Sequence, residues 1–260
     1  MREILGRRRM TRSTLRNAAL TCATQWHWPV VPGAALPSSP SPAPSKRQSE
    51  QDLPEGGPAT SPAPVPAPAC SCPDPECAVP GAHPFDPVLL AATTDARMVR
   101  WWWTNRPMAP LILATGGSAP CALSLPAAAG VQALADFDRL GVRVGPVAAT
   151  LTRFSFLVEP YELEELGELL YAHDWVPSSL RFHGEGGYVA LPPSPTGAGQ
   201  VRWEREPESA RAGRAAGRAE RRAGGTAGGG APWLPRMETL LDVLVEASAT
   251  APDTGSRLAY

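Results

Sequence analysis

Cys70, Cys72, Cys77 and His83 follow one another in the spacing C-x-C-x4-C-x5-H, within a chain of 260 residues. Zinc takes four soft or borderline ligands on a tetrahedron, and three thiolates with one imidazole supply such a set. With all four positions filled by protein, a site of this kind is structural. Pro73, Pro75, Pro80 and Pro84 stiffen the loop and lower the ordering cost of binding. An odd-numbered cluster suits a disulfide poorly in a reducing compartment, and unliganded thiols in a loop are the third account. Cys22 and Cys121 stand alone in apolar segments and read as core residues.

A second group with chemical potential is the run Trp101, Trp102 and Trp103, flanked by Arg100 and Arg106. Three consecutive positions spread over about 200° of a helix, so they cannot all face one core. Core packing accounts for one or two of them, and an exposed indole beside an arginine could stack on a base. The turn Gly184–Gly187 lacks a phosphate-loop pattern and reads as a tight turn. No nucleophile stands near His173, Asp174 or His183 in a triad arrangement, which argues against a hydrolase.

The elements that must position these residues alternate between helix and strand. Helical spacing predicts a helix over 14–25, with Leu15, Ala18, Ala19, Cys22 and Ala23 on one side. A short strand holds Val30 and Val31 between prolines. Residues 33–69 are dominated by Pro, Ser and Ala, and read as a disordered insertion. Thr94 or Asp95 caps a helix that Pro107 prevents from continuing far. Strands follow at Leu111–Ala114 and Ala122–Leu125. Then comes a helix over Ala127–Leu140 with Val131, Leu134, Phe137 and Leu140 on its stripe and Gly141 as its cap. Residues 147–158 read as one or two strands, and 161–171 as a helix with Leu163, Leu166, Leu169 and Leu170 inward. Tyr188–Leu191 is a strand. Residues 205–232, rich in Arg, Ala and Gly, read as a low-complexity linker, and 236–249 as a terminal helix. Arg211, Arg214, Arg218, Arg221 and Arg222 make a basic patch there, diluted by Glu206, Glu208 and Glu220. The fold class is α/β (α+β), a mixed sheet flanked by helices with two insertions.

From Trp26 to Trp203 the segments WHWPVVPG, CSCPDPECAVPGAHPFDP, TTDARMVRWWWTNRP, LILATGG and FHGEGGYVALPPS occur in order. This series resembles the N-terminal domain of bifunctional DNA primase/polymerases, the prim-pol branch of the archaeo-eukaryotic primases. The resemblance covers about 17–204 and implies a domain over 14–204 that holds Mg²⁺ or Mn²⁺ on carboxylates and extends DNA strands. Two divalent ions clamp the attacking and leaving oxygens in such chemistry, and they require oxygen ligands. In the family an Asp-x-Asp or Asp-x-Glu pair lies on the strand after the Gly-Gly turn, on one face of it. Here those positions read Ser124 and Pro126. A later histidine of the family falls at Ser155, and a third acidic position at Arg181. No Asp or Glu occurs between Asp95 and Asp136, so the family's metal pair is missing whatever the register. Glu185 and His183 do not rebuild a three-carboxylate site. Relatives also carry a Lys before the His-Pro, where Ala82 stands here, and a similar Trp pair.

Two expectations follow. One is a domain without polymerase or primase activity that retains binding of single-stranded DNA or a nucleotide, through Arg100, Trp103, Arg106 and Arg181. The other is a regulatory scaffold whose partner is a protein. Net charge is −1, which gives no global case for polyanion binding. Lys46 is the only lysine, as a GC-rich coding sequence would give. The basic N-terminus lacks an apolar segment behind it, and no apolar run approaches the ~20 residues that span a bilayer. A cytoplasmic protein is expected.

Overall fold

The computed structural model describes residues 12–37, 70–208 and 230–250. Among these, five helices and ten strands form. Helix α1 (Arg12–Thr24) leads into β1 (Val30–Pro32). After the cysteine loop come α2 (Ala96–Asn105), β2 (Leu111–Ala114), β3 (Cys121–Pro126) and α3 (Ala127–Leu140). Then follow β4 (Val147–Ala149), β5 (Arg153–Val158), α4 (Leu163–Tyr171), β6 (Arg181–His183) and β7 (Tyr188–Leu191). The short strands β8 (Pro195–Thr196) and β9 (Gly199–Gln200), then β10 (Arg202–Arg205) and α5 (Met237–Thr250), complete the described chain.

A five-stranded antiparallel sheet has the order β10-β4-β5-β3-β6, and a three-stranded sheet the order β1-β2-β7. Alternation along β3 sends Cys121, Leu123 and Leu125 to one face, where they pack with Phe154, Phe156, α3 and α5. The other face gives Ala122 and Leu157 to a second core built from α1, α2 and the small sheet. Beyond that contact the same face carries Ser124, Arg153, Ser155 and Arg181.

Two connections join the sheets side by side: β2 runs into β3, and β6 runs into β7. Their turns are pressed together. Thr115 donates its N–H to the Gly187 carbonyl at 3.0 Å and its Oγ1–H to the Gly184 carbonyl at 2.6 Å. Gly116 has φ +92°, and a Cβ there would fall 2.2 Å from Glu185 Cα. Only glycine combines that backbone conformation with that approach.

Several expectations hold in detail. Asp95 caps α2, its carboxylate accepting from the N–H groups of Arg97 and Met98 at 2.6 and 3.1 Å. Helix α3 spans its expected residues, and Gly141 ends it in the left-handed region at φ 68°. Other details differ. Residues Gly33–Pro37 are ordered, Gly33 bridging Pro84 and Ala34 donating to the His83 carbonyl at 2.9 Å. The rest of the expected insertion, 38–69, lies outside the described residues. Arg205 belongs to β10 and pairs with Asp138 at 2.7 Å, while the arginines from Arg211 to Arg222 lie outside the described residues. Helix α3 turns Ala129, Gly130, Ala133, Leu134 and Phe137 inward and leaves Val131 and Leu140 exposed. Its small residues set this face: a Cβ on Gly130 would fall 2.5 Å from Phe154 Cγ, so the helix sits close against β5. Leu163, the first residue of α4, is likewise exposed.

Gly116→Ala is expected to destabilise the fold by at least about 2 kcal/mol, from backbone strain and the displaced turn. Gly117, at φ 62°, has no other atom within 4 Å of the place a methyl group would occupy, so Gly117→Ala should cost only about 1 kcal/mol. Denaturant midpoints of the two variants check the difference; equal shifts would contradict the turn packing.

Candidate functional site

The residues expected at the chemical centre come from three separate stretches, and sheet pairing brings them into one row. Ser124 on β3 stands directly opposite Ser155 on β5 and directly opposite Arg181 on β6. Pro126, at the end of β3, stands opposite Arg153. Arg153 lies two residues before Ser155, so it shares the face with the row. Its Nη2 donates to the Ser124 carbonyl at 2.7 Å, to Ser124 Oγ at 3.2 Å and to the Ser179 carbonyl at 2.9 Å. The side chain thus crosses β3 toward the segment entering β6. Ser124 Oγ also lies 2.9 Å from Nε2 of His183.

The electrostatics of this face are those of a cation cluster. Strands β3 to β6 carry no Asp or Glu, and the nearest acidic residues flanking β6 in the chain are Asp174 and Glu185. Burial, reinforced by Arg181, lowers the Arg153 guanidinium to about 10, which leaves it charged at neutral pH. Burial lowers His183 to about 4; Arg153 and Arg181 push the same way, and a backbone contact with Tyr188 opposes them in part. The imidazole is therefore neutral at pH 7. Such a face can hold an anion or a polar group; it offers no carboxylate to a hard divalent cation.

The cysteine loop forms a second site. The ligand atoms of Cys70, Cys72, Cys77 and His83 all lie within 4.8 Å of one another. Cys70 Sγ is 3.3 Å and Cys77 Sγ 3.4 Å from His83 Nε2. His83 Nδ1 lies 2.9 Å from the Pro84 carbonyl, which only accepts, so Nδ1 carries the proton and Nε2 keeps its lone pair for a ligand. Burial raises the Cys70 thiol, but the N–H groups of Cys72 and Gly81 with His83 overcome it and hold the thiol at about 6. This donor set could hold a metal ion such as zinc. The loop is fixed on two sides: Ser71 donates to the Ala35 carbonyl at 2.9 Å, and Gly197 donates to the Pro80 carbonyl at 2.7 Å.

The tryptophan run divides as helix geometry requires, but the base-stacking candidate changes. Trp103 is 1% exposed and donates its indole N–H to the Ala109 carbonyl at 3.0 Å, so its ring is closed to a base. Trp102 is also buried, and Trp101 is the solvent-facing indole at 59% exposure. Arg100 is exposed beside it. Arg106 is bound to Asp86 at 2.8 Å. Arg153 was the residue the sequence left unmarked; its position two before Ser155 was the available signal.

Fold and site together define an α/β domain of two main sheets and a β8–β9 hairpin, with its polar face on the largest sheet, where that sheet leaves its contact with the three-stranded one. The chain matches the family described as bifunctional DNA primase/polymerase, N-terminal, over residues 19–216, and it belongs to that family. No curated protein and no solved structure matches it. Among the described residues no helix is long and apolar enough to cross a membrane.

Because folding lowers His183 from 6.5 to about 4, the unfolded chain takes up that proton first as pH falls. The associated stability is fully present above about pH 6.5 and is lost toward pH 4, amounting to as much as ~3 kcal/mol. His183→Gln should flatten the stability profile in this window, read from urea midpoints at successive pH values. A slope unchanged by the substitution would contradict the buried neutral imidazole. For the cysteine loop, zinc-replete protein should carry about one metal per chain by elemental analysis. Cys77→Ser should lose it, with a drop in Tm that a chelator reproduces in the parent protein.

Proposed function

We propose that this chain is a primase/polymerase-type domain that binds single-stranded DNA or a nucleotide without joining nucleotides. The observation that carries this reading is the row Ser155–Ser124–Arg181, with Arg153 beside it and no carboxylate on β3 to β6. Phosphoryl transfer between nucleotides needs metal ions held by oxygen ligands, and hydroxyls with guanidiniums do not hold them. Those same guanidiniums suit a phosphate backbone. Arg100 and the exposed Trp101 on α2 add a cation and a stacking surface. The structural role of zinc in the cysteine loop, a replication context and a cytoplasmic site of action belong to the same proposal. A protein-directed scaffold is the second reading, favoured by Leu163, Tyr171 and Trp175, which are 80%, 93% and 64% exposed.

Fluorescence anisotropy of a labelled single-stranded oligonucleotide, at low and moderate salt, tests the proposal. Saturable binding that weakens steeply with salt is expected, with no incorporation of labelled nucleotide in Mg²⁺ or Mn²⁺. Absence of binding at low salt would leave the scaffold reading, and template-directed incorporation would overturn the loss of activity.

A further inference from the structure

Arg153 and Arg181 share one sheet face, and neither has a carboxylate partner among the described residues. Several other described arginines are paired: Arg106, Arg139, Arg143 and Arg205 each reach an Asp or Glu within 3.1 Å. Arg153 is half-buried, so its charge is kept partly out of water with only neutral acceptors around it. A second cation in the neighbourhood raises that cost, and nothing among the described residues offsets it. All three hydrogen bonds of Arg153 leave from Nη2, so Nη1 and Nε keep donors to give. The Arg181 side chain and the Ser155 hydroxyl have no hydrogen-bond partner among the described residues.

This combination matches one ligand chemistry. A tetrahedral oxyanion presents several acceptor oxygens to forked guanidinium donors, and it supplies the missing negative charge. Ser124 and His183 close the inner side of the face through their 2.9 Å contact, adding polarity without adding a carboxylate that would repel the anion. A divalent cation finds two positive charges and no oxygen anion there. We propose that the face formed by Arg153, Ser155 and Arg181, above the buried Ser124, binds a phosphate group directly, without a bridging divalent cation. The inference deepens the proposed function and rests on it for the source of the phosphate, which is a nucleotide triphosphate or a phosphodiester backbone.

The test uses the zinc-loaded full chain in buffer without added Mg²⁺ or other divalent cation. Tripolyphosphate, a nucleoside triphosphate and an oligothymidylate without terminal phosphate are titrated separately by calorimetry, and the His183 ring is followed by NMR. Expected is saturable binding of at least one probe, a rise in the His183 midpoint as the anion arrives, and no strengthening on adding Mg²⁺. Arg181→Gln, whose side chain supports no other residue by hydrogen bonding, should weaken binding at least tenfold while leaving Tm near the parent value. Arg153→Met should weaken it further, and Arg153→Lys should not restore it, because a single ammonium cannot reproduce the fork. Binding of tripolyphosphate or triphosphate identifies a nucleotide as the source, and binding of the oligothymidylate alone identifies a strand backbone. Binding that requires Mg²⁺, or that survives Arg181→Gln with His183 unmoved, would overturn the site. Oligonucleotide binding of that kind leaves the proposed function standing and places the contact elsewhere, whereas anion binding without any strand binding removes the strand and keeps the site.

Discussion

The contact between the two inter-sheet turns governs where the polar residues of β3 and β6 end up. Gly116 can approach the Glu185 backbone only because it lacks a side chain and adopts φ +92°. The Thr115 hydrogen bonds to Gly184 and Gly187 then lock β2–β3 against β6–β7. Since β3 and β6 are neighbours in one sheet and β2 and β7 in the other, this single junction ties both registers. A one-residue slip of β3 would turn Leu123 and Leu125 toward the polar face and drive Ser124 into the core against α3. The apolar alternation of β3 and the glycine junction thus act together: one chooses the face, the other fixes the row.

Once that row is fixed, its charge follows from residue type alone. Arg153 is held across β3 by two carbonyls and a hydroxyl, which satisfy a guanidinium's hydrogens without cancelling its charge. The field of Arg153 and Arg181 adds to burial in keeping His183 neutral, so the imidazole near Ser124 does not compete for the same counter-charge. A lysine in place of Arg153 could not span the same three acceptors with one planar group, and burial would favour its neutral form. The arginine therefore maintains a positive charge where lysine would tend to surrender it.

Much of this was legible in the sequence where the deciding residues are local. Asp95 announces the start of α2, and Gly141 marks the end of α3. The row itself was legible through the ordered segments of the family, which placed Ser124, Ser155 and Arg181 at one centre. What stayed hidden depends on partners distant in sequence. Strand β6 is only Arg181–His183, too short to show alternation, and it forms because β3 needs a neighbour. The inward face of α3 is its small-residue side because Phe154 occupies the space beneath Gly130; hydrophobicity alone points instead to Val131 and Leu140. Which tryptophan is exposed depends on the Ala109 carbonyl waiting for the Trp103 indole, a contact no periodicity encodes.

Membership of a polymerase-related family and a face without carboxylates are compatible because scaffold and chemistry rest on different residues. The elements that position the row are held by apolar packing: Leu123, Leu125, Phe154 and Phe156 on one side, Ala122 and Leu157 on the other. The cysteine loop works on the same scaffold from outside. It joins the end of β1 through Ala34, Ala35 and Gly33 and joins the β8–β9 hairpin through Pro80 and Gly197. Gly81, at φ +73°, permits that second approach, since a Cβ there would meet the Pro195 carbonyl at 2.9 Å. None of these contacts consults the charge of Ser124, Ser155 or Arg181. The half-buried Ser155 and Arg181 can therefore change in charge at little cost to packing, whereas a change at Gly116, Gly130 or Leu123 reaches the fold at once. The ligand that such a face accepts is then set by its charge, and here that charge is positive.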